Sequence, residues 1–159
     1  MREVYIYTDG SSLNAKKYGL SYDWWGGSGA VLLYKGKELR LSESRPNGTN
    51  QQTEIFAVTM ALRKLKYPCK VMVLTDSKYV IKGCTEWVGG WAKRNWMTTQ
   101  GEPVKNKELW QELMHEVSKH DLLFKWVKGH SDDKYNDLAD ELAVAASTKI
   151  KEEALSGNI

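Results

Sequence analysis

The chain has 159 residues, of which 42% are hydrophobic and 27% are charged, with a formal net charge of +3 at pH 7. These values are typical of one globular domain with one core, and no apolar stretch is long enough to cross a bilayer. We therefore expect a single domain over residues 1–159, with its core at about 4–153 and a frayed tail at 154–159. Cys69 and Cys84 have no metal-ligand spacing, which favours reduced thiols in a cytoplasmic protein without a signal peptide. We expect the protein to be a monomer.

The first predicted elements are three β-strands. Val4–Asp9 is rich in β-branched and aromatic residues, which favours a strand. Ser28–Tyr34 and Lys37–Ser44 form a predicted hairpin with its turn at Lys35-Gly36. The segment Lys16–Gly27, between the first strand and this hairpin, is predicted to be a loop.

Helices and strands alternate in the remainder of the chain. Apolar spacing and capping residues predict helices at Asn50–Lys66, Lys78–Lys82, Thr85–Trp91, Lys105–Lys119 and Asn136–Glu153. Thr49 or Asn50 can cap the first helix, and the second is predicted to stop at Gly83. Two further strands are predicted at Lys70–Thr75 and Leu122–Val127. This order predicts an α/β fold with a five-stranded mixed sheet and helices on both faces.

Two apolar runs each end in a threonine, an aspartate and a small residue. The run VYIYTDGSS contains Asp9, and the run VMVLTDSKYV contains Asp76. Sites in α/β sheets form at the carboxyl ends of strands, so we expect the two carboxylates to be neighbours. Their mutual repulsion would be offset by a divalent cation with oxygen ligands. The alternative for each aspartate is a turn former or a helix cap.

Further acids lie at two helix starts. Glu54 is in the first turn of the helix after the hairpin, where a negative charge is also favourable without any catalytic role. The last helix offers Asp137, Asp140 and Glu141. Asp137 and Glu141 share one helix face and Asp140 points elsewhere, so position alone does not choose among the three.

Basic and aromatic residues are interleaved between residues 87 and 107. The segment contains Trp87, Trp91, Trp96, Lys93, Arg94, Lys105 and Lys107, with a single intervening acid from residue 91 onward, Glu102. This pattern indicates nucleic-acid binding. It is equally compatible with a solvated charged face and tryptophans that pack inside the protein, as we expect for Trp110.

Five short motifs resemble those of type 1 ribonuclease H, in the same order. They are Thr8-Asp9-Gly10-Ser11, Thr53-Glu54, Thr75-Asp76-Ser77, Val127-Lys128-Gly129-His130 and Asn136-x-x-x-Asp140-x-Leu142-Ala143. The segment from Trp87 to Trp110 is similar to the basic protrusion of the bacterial members. The resemblance covers roughly residues 4–147 and implies a ribonuclease H-like fold.

The resemblance implies a catalytic site. Asp9, Glu54, Asp76 and Asp140 would be the metal-binding tetrad, with Asp140 selected over the two other acids of the last helix. His130 would assist proton transfer or product release. The implied reaction is hydrolysis of the RNA strand of RNA/DNA hybrids with two Mg²⁺ ions roughly 4 Å apart, or Mn²⁺ as a substitute. The products would carry 5′-phosphate and 3′-hydroxyl ends.

The resemblance also implies the contacts to the RNA/DNA hybrid. Groups that read 2′-hydroxyls would be Asn14, Asn50, Gln51 and Lys78. A DNA-strand phosphate would bind Thr49, Trp87 and Asn106. Lys93, Arg94 and Lys105 would bind backbone phosphates nonspecifically. Trp91 and Trp96 would also bind the substrate, or would alternatively pack the protrusion.

Two features depart from the family pattern. The loop Ala15–Trp25 is longer than usual, and it either flanks the hybrid through Lys16 and Lys17 or packs aromatics beside the hairpin. Lys78 occupies a position where a neutral amide is common. Two other functions remain open at this point: a catalytically silent hybrid-binding module, and another nuclease of the same fold, of the resolvase or integrase type.

Overall fold

The computed structural model describes residues 1–129 and 133–157, and its strands form one five-stranded sheet. The strands are β1 (Arg2–Asn14), β2 (Trp24–Tyr34), β3 (Lys37–Pro46), β4 (Cys69–Thr75) and β5 (Asp121–Trp126). Their order across the sheet is β3-β2-β1-β4-β5. β1, β2 and β3 pair antiparallel, whereas β4 pairs parallel with both β1 and β5. The predicted five-stranded mixed sheet is confirmed.

The sequence predicted that β1 ends at Asp9, but the strand continues to Asn14. Its parallel pairing with β4 ends at Thr8, opposite Thr75. Its antiparallel pairing with β2 continues to Asn14, opposite Trp24. Asp9 therefore lies where one neighbouring strand stops and the other continues, which leaves that side of β1 open beyond the end of β4.

Within residues 1–129 and 133–157, five α-helices are interleaved with the strands. They are α1 (Asn50–Leu62), α2 (Lys78–Lys82), α3 (Val88–Lys93), α4 (Lys107–Val117) and α5 (Lys134–Leu155). The predicted helix Lys78–Lys82 is confirmed with the same bounds, and a π-helical turn at Gly83–Trp87 joins it to α3, which begins at Val88 rather than at the predicted Thr85. A side chain at Gly83 would collide with the ring of Trp110. This glycine therefore follows the end of α2 and also leaves room for the Trp110 ring.

Helices cover both faces of the sheet, as expected. Ser28 of β2 faces α1, where its hydroxyl donates to the Thr53 carbonyl at 2.7 Å. Gly27 and Gly29 point the opposite way, because side-chain direction alternates along a strand. A Cβ at either glycine would collide with the backbone of α5, so both residues allow that helix to pack closely against β2.

The main hydrophobic core lies between the sheet and α1 and α4, and includes fully buried Trp110. A second, smaller cluster contains Ala15, Trp25, Ile150 and Ala154. The segment 15–25 thus packs its aromatic residues against the end of α5, and Tyr18 stacks 5.2 Å from Trp25. Because Ala154 is buried, the ordered chain extends beyond the predicted boundary at 153.

Cys69 and Cys84 are free thiols. Among the helices described in residues 1–129 and 133–157, none combines the length and apolar character required to span a bilayer.

Candidate active site

The predicted acids approach one another at the carboxyl edge of β1 and β4. Asp9 points to the α5 face of the sheet, on the same side as Tyr7, whose ring lies 5.6 Å from the ring of Tyr135 in α5. Gly10 points to the opposite face. A Cβ at Gly10 would lie 2.7 Å from the backbone nitrogen of Glu54, so this glycine allows the first turn of α1 to approach the strand end.

Asp9 is the most buried of the predicted acids and is only 9% exposed. It accepts a 2.9 Å hydrogen bond from the Gly10 N–H. Burial first, then the charge of Asp76 and a side-chain hydrogen bond to Asp140, raise the pKa of Asp9 to about 8. Asp9, Asp76 and Asp140 therefore interact directly, and their repulsion is relieved when Asp9 holds a proton or a cation binds.

Glu54 is tied to the turn between β4 and α2. Its Oε2 accepts a 2.7 Å hydrogen bond from the Ser77 hydroxyl, and its Oε1 accepts a 3.0 Å bond from Asn50 Nδ2. Burial raises the pKa of Glu54 and so does the Asp76 charge, whereas the Ser77 and Asn50 bonds lower it. Ser77 also caps α2 by accepting from the Val80 N–H at 3.2 Å.

Asp76 interacts with two other acids of the group, because its charge raises the pKa of both Asp9 and Glu54. Its backbone carbonyl accepts a 3.1 Å hydrogen bond from Trp126 Nε1 at the end of β5. A Cβ at Gly129 would lie 2.6 Å from Asp76 Oδ2, so this glycine leaves room for the carboxylate. The next residue of that motif, His130, lies outside the described residues.

The last helix presents one of its three acids to the site. Asp133 caps α5 by accepting from the Tyr135 and Asn136 N–H groups. About two turns further on, Asp140 raises the pKa of Asp9 through a side-chain hydrogen bond. Glu141 is exposed to solvent. The geometry thus places Asp140 beside the strand-end acids.

The donor set fits a hard divalent cation, because all four predicted ligands are carboxylates. The raised pKa of Asp9 is the electrostatic sign of that fit, since a cation would offset the same repulsion. Over residues 1–129 and 133–157, no three acidic, histidine or cysteine side chains are already grouped as an ion would require.

A hydrogen-bond network connects two predicted phosphate-binding residues. Thr49 caps α1, and Gln52 completes a capping box by accepting from the Thr49 N–H at 3.1 Å. Gln52 Nε2 donates to Asn106 Oδ1 at 3.2 Å. Asn106 Nδ2 in turn donates to the Tyr79 hydroxyl at 3.4 Å. Gln52 and Tyr79 were missed by sequence reasoning, although the Thr-x-x-Gln spacing predicts the capping box.

The 2′-hydroxyl-reading candidates are spread along the surface. Asn50 and Gln51 occupy the first turn of α1, next to Glu54. Asn14 ends β1 five residues beyond Asp9, about 17 Å along the strand. Its Oδ1 accepts from the Lys16 N–H. Asn14 is therefore separated from the carboxylates, whereas the two α1 residues adjoin them.

The tryptophans of the protrusion form a continuous aromatic group. Trp91 stacks 5.9 Å from Trp87, 6.0 Å from Trp96 and 5.6 Å from Trp110. Trp91 and Trp96 pack against the main core, whereas Trp87 is 36% exposed. A cavity of about 270 Å³ opens beside Trp87 and Lys105. Lys93, Arg94 and Lys105 are all exposed.

Carboxylates at adjacent parallel strand ends of a mixed α/β sheet, beside a basic aromatic protrusion, define the class of α/β phosphodiester nucleases. The family model for RNase H matches residues 1–148. The chain belongs to the RNase H family, whose members are nucleases that hydrolyse phosphodiester bonds.

Curated relatives and solved structures agree with this assignment. Ribonuclease H of Hahella chejuensis is 47% identical over 143 residues, which are 90% of this chain and 92% of the relative. Ribonuclease H of Alcanivorax borkumensis is 45% identical, with 90% of both chains covered. The crystal structure of LC9-RNase H1, a type 1 RNase H with the type 2 active-site motif, superposes with a TM-score of 0.80 at 31% identity, covering 94% of this chain and 74% of that one. The predicted ribonuclease H-like fold is confirmed.

Proposed function

We propose that this protein is an endonuclease that hydrolyses the RNA strand of RNA/DNA hybrids, leaving 5′-phosphate and 3′-hydroxyl ends. The observation that carries the proposal is the interaction of buried Asp9 with Asp76 and Asp140, which creates a cation-attracting group at the strand ends. The names of the curated relatives, Ribonuclease H and Ribonuclease HI, support it.

Asp9, Glu54, Asp76 and Asp140 would hold Mg²⁺, with two ions in the presence of substrate and Mn²⁺ as a substitute. The bound cations would supply positive charge that activates water for in-line attack and stabilises the leaving 3′-oxygen. The side chains of the protein would set the position of these charges. Ser77 and Asn50 fix both carboxylate oxygens of Glu54, and the Gly10 N–H orients Asp9.

The surface around the carboxylates would orient the two strands differently. Thr49 and Asn106, joined through Gln52, would hold a phosphate of the DNA strand beside Trp87. Asn14, Asn50 and Gln51 would read 2′-hydroxyls of the RNA strand, since an amide both donates and accepts hydrogen bonds.

The protrusion would grip the hybrid through its charge. Exposed Lys93, Arg94 and Lys105 would contact backbone phosphates, giving salt-dependent affinity. Trp91 and Trp96 would support that surface from behind, because they pack against the core.

His130 is proposed to assist proton transfer or product release. A histidine has an ordinary pKa near 6.5, so it can accept and return a proton around neutral pH. We also propose that the protein acts as a monomer in the cytoplasm, where the free thiols Cys69 and Cys84 would remain reduced.

Labelled RNA/DNA hybrid, duplex RNA and duplex DNA, incubated with Mg²⁺, Mn²⁺ or a chelator, test the proposal. We expect cleavage of the hybrid alone, on its RNA strand, and only with a divalent cation. Cleavage of duplex DNA would instead support a resolvase-type or integrase-type nuclease. Binding of the hybrid without any cleavage would support a silent hybrid-binding module.

A further inference from the structure

Trp126 lies directly beside the acidic group but belongs to none of the sequence motifs discussed above. It is the last residue of β5, in register with Thr75 of β4. Its indole Nε1 donates to the backbone carbonyl of Asp76 at 3.1 Å. The ring is nevertheless 46% exposed. An indole that is anchored to a predicted metal-ligating residue and open to solvent can contact other groups through its free face.

Lys78 occupies that face. Its Nζ lies 4.8 Å from the centre of the Trp126 ring, within the range of a cation–π interaction. Lys78 is the first residue of α2 and is exposed, two positions after Asp76. In the described part of the chain, Lys78 forms no ion pair with a carboxylate within 4.0 Å. The indole therefore holds the ammonium at the rim of the acidic group.

Building on the proposed function, we propose that Trp126 is a positioning residue that holds the Lys78 ammonium against a phosphate of the bound nucleic acid. A lysine side chain carries three donors and no acceptor, so it is poorly suited to discriminate a 2′-hydroxyl. It is well suited to contact a phosphate as a compact positive charge. At this position Lys78 would therefore contact a phosphate and would not recognise a 2′-hydroxyl.

The same indole links the phosphate contact to the catalytic group. Its ring face positions Lys78, and its N–H holds the peptide that carries the Asp76 carboxylate. A phosphate bound at Lys78 would consequently have a fixed position relative to Asp76. The two functions of Trp126 can be separated, because phenylalanine retains a ring face but has no N–H, and leucine has neither.

The salt dependence of hybrid binding tests the Lys78 contact, measured with chelator so that no strand is cut. Each phosphate contact contributes about 0.9 to the slope of log K against log salt concentration. We expect Lys78→Gln to reduce the slope by about 0.9. The matched control is Lys125→Gln, which removes the same charge from an exposed residue on the opposite face of β5. A slope that Lys78→Gln leaves unchanged, or that Lys125→Gln reduces equally, would overturn the phosphate contact.

Variants of Trp126 test the positioning role. Trp126→Leu should reduce the salt slope as Lys78→Gln does, and combining the two changes should reduce it no further. Trp126→Phe should keep the slope but lower kcat about 10-fold with little change in KM, because the Asp76 peptide loses its donor. Far-ultraviolet circular dichroism checks that each variant is folded. Full additivity of Lys78→Gln and Trp126→Leu would refute positioning. Failure of the wild-type protein to cut the hybrid would contradict the proposed function alone, since the slope is measured without cleavage.

Discussion

The Ser77 hydroxyl donates a 2.7 Å hydrogen bond to Glu54 Oε2 and thereby joins the acid of α1 to the strand end that carries Asp76. The same oxygen accepts from the Val80 N–H and caps α2. The Ser77 side chain therefore stabilises both the start of α2 and the position of Glu54 on α1.

Ser77→Ala should remove both the cap of α2 and the hydrogen bond to Glu54. Loss of the cap and of the bond to Glu54 should lower the free energy of unfolding by about 1–2 kcal/mol. Because the Ser77 bond lowers the pKa of Glu54, its removal should raise that pKa and move the acidic limb of the pH–activity profile to higher pH. Urea unfolding and the pH dependence of kcat/KM measure the two effects. The control Ser42→Ala also loses a 2.7 Å bond, to the Leu142 carbonyl on the far side of the sheet, and should leave the profile in place.

Asp9→Asn should stabilise the metal-free protein while abolishing cleavage. Below about pH 4, wild-type Asp9 is protonated in both the folded and the unfolded states. Between pH 4 and 8 only the unfolded state ionises, because the folded pKa is raised to about 8, so wild-type stability falls as pH rises. Above about pH 8 Asp9 is ionised in both states, so the stability of the wild-type protein falls no further. The amide has no proton to lose, so the stability difference should grow from pH 4 to pH 8 and reach on the order of 2–4 kcal/mol.

Urea unfolding with chelator, at a series of pH values, measures this difference. Mg²⁺ should stabilise the wild-type protein more than Asp9→Asn, because a ligand that binds only the folded state raises its stability. The control Asp121→Asn changes an exposed acid at the other end of the sheet. A stability difference for Asp9→Asn that does not depend on pH would show that Asp9 is ionised normally.

Much of the acidic site could be predicted from sequence because its signals are local. An apolar run that ends in an aspartate predicts the place where strand pairing stops: Asp76 follows the last residue of β4, and Asp9 lies just beyond the end of the parallel β1–β4 pairing. The contact between Ser77 and Glu54 could not be predicted, because it joins residues 23 positions apart that only the folded sheet brings together.

The errors in the predicted elements also have tertiary causes. The predicted helix Thr85–Trp91 is observed at Val88–Lys93, because a π-helical turn occupies Gly83–Trp87. Gly83 begins that turn, and its lack of a side chain accommodates Trp110 from α4. The continuation of β1 to Asn14 depends on pairing with β2, whose Gly26, Gly27 and Gly29 have weak strand character on their own. Contacts with residues distant in sequence therefore determine both the helical segment at Gly83 and the end of β1.

Gln52→Leu should separate Thr49 from Asn106. The change removes the acceptor for the Thr49 N–H and the donor to Asn106 Oδ1, so the phosphate-binding pair loses its connection. We expect KM for the hybrid to rise more than kcat falls, and unfolding to become easier by about 1 kcal/mol. Gln52→Glu is the matched variant, since it keeps an acceptor for Thr49 but cannot donate to Asn106. If steady-state kinetics show the same KM for both variants and wild type, the link has no part in phosphate binding.

Gly129→Ala should displace Asp76 without unfolding the protein. The added Cβ would lie 2.6 Å from Asp76 Oδ2, a distance that the carboxylate can escape only by turning away from its present position. Activity should fall at least 10-fold, with a change of less than about 1 kcal/mol in the free energy of unfolding. Gly89→Ala is the control, because a Cβ there meets no atom within 4 Å and an alanine should favour helix α3. Full activity of Gly129→Ala, measured on labelled hybrid at saturating Mg²⁺, would mean that cleavage does not depend on the present position of the Asp76 carboxylate.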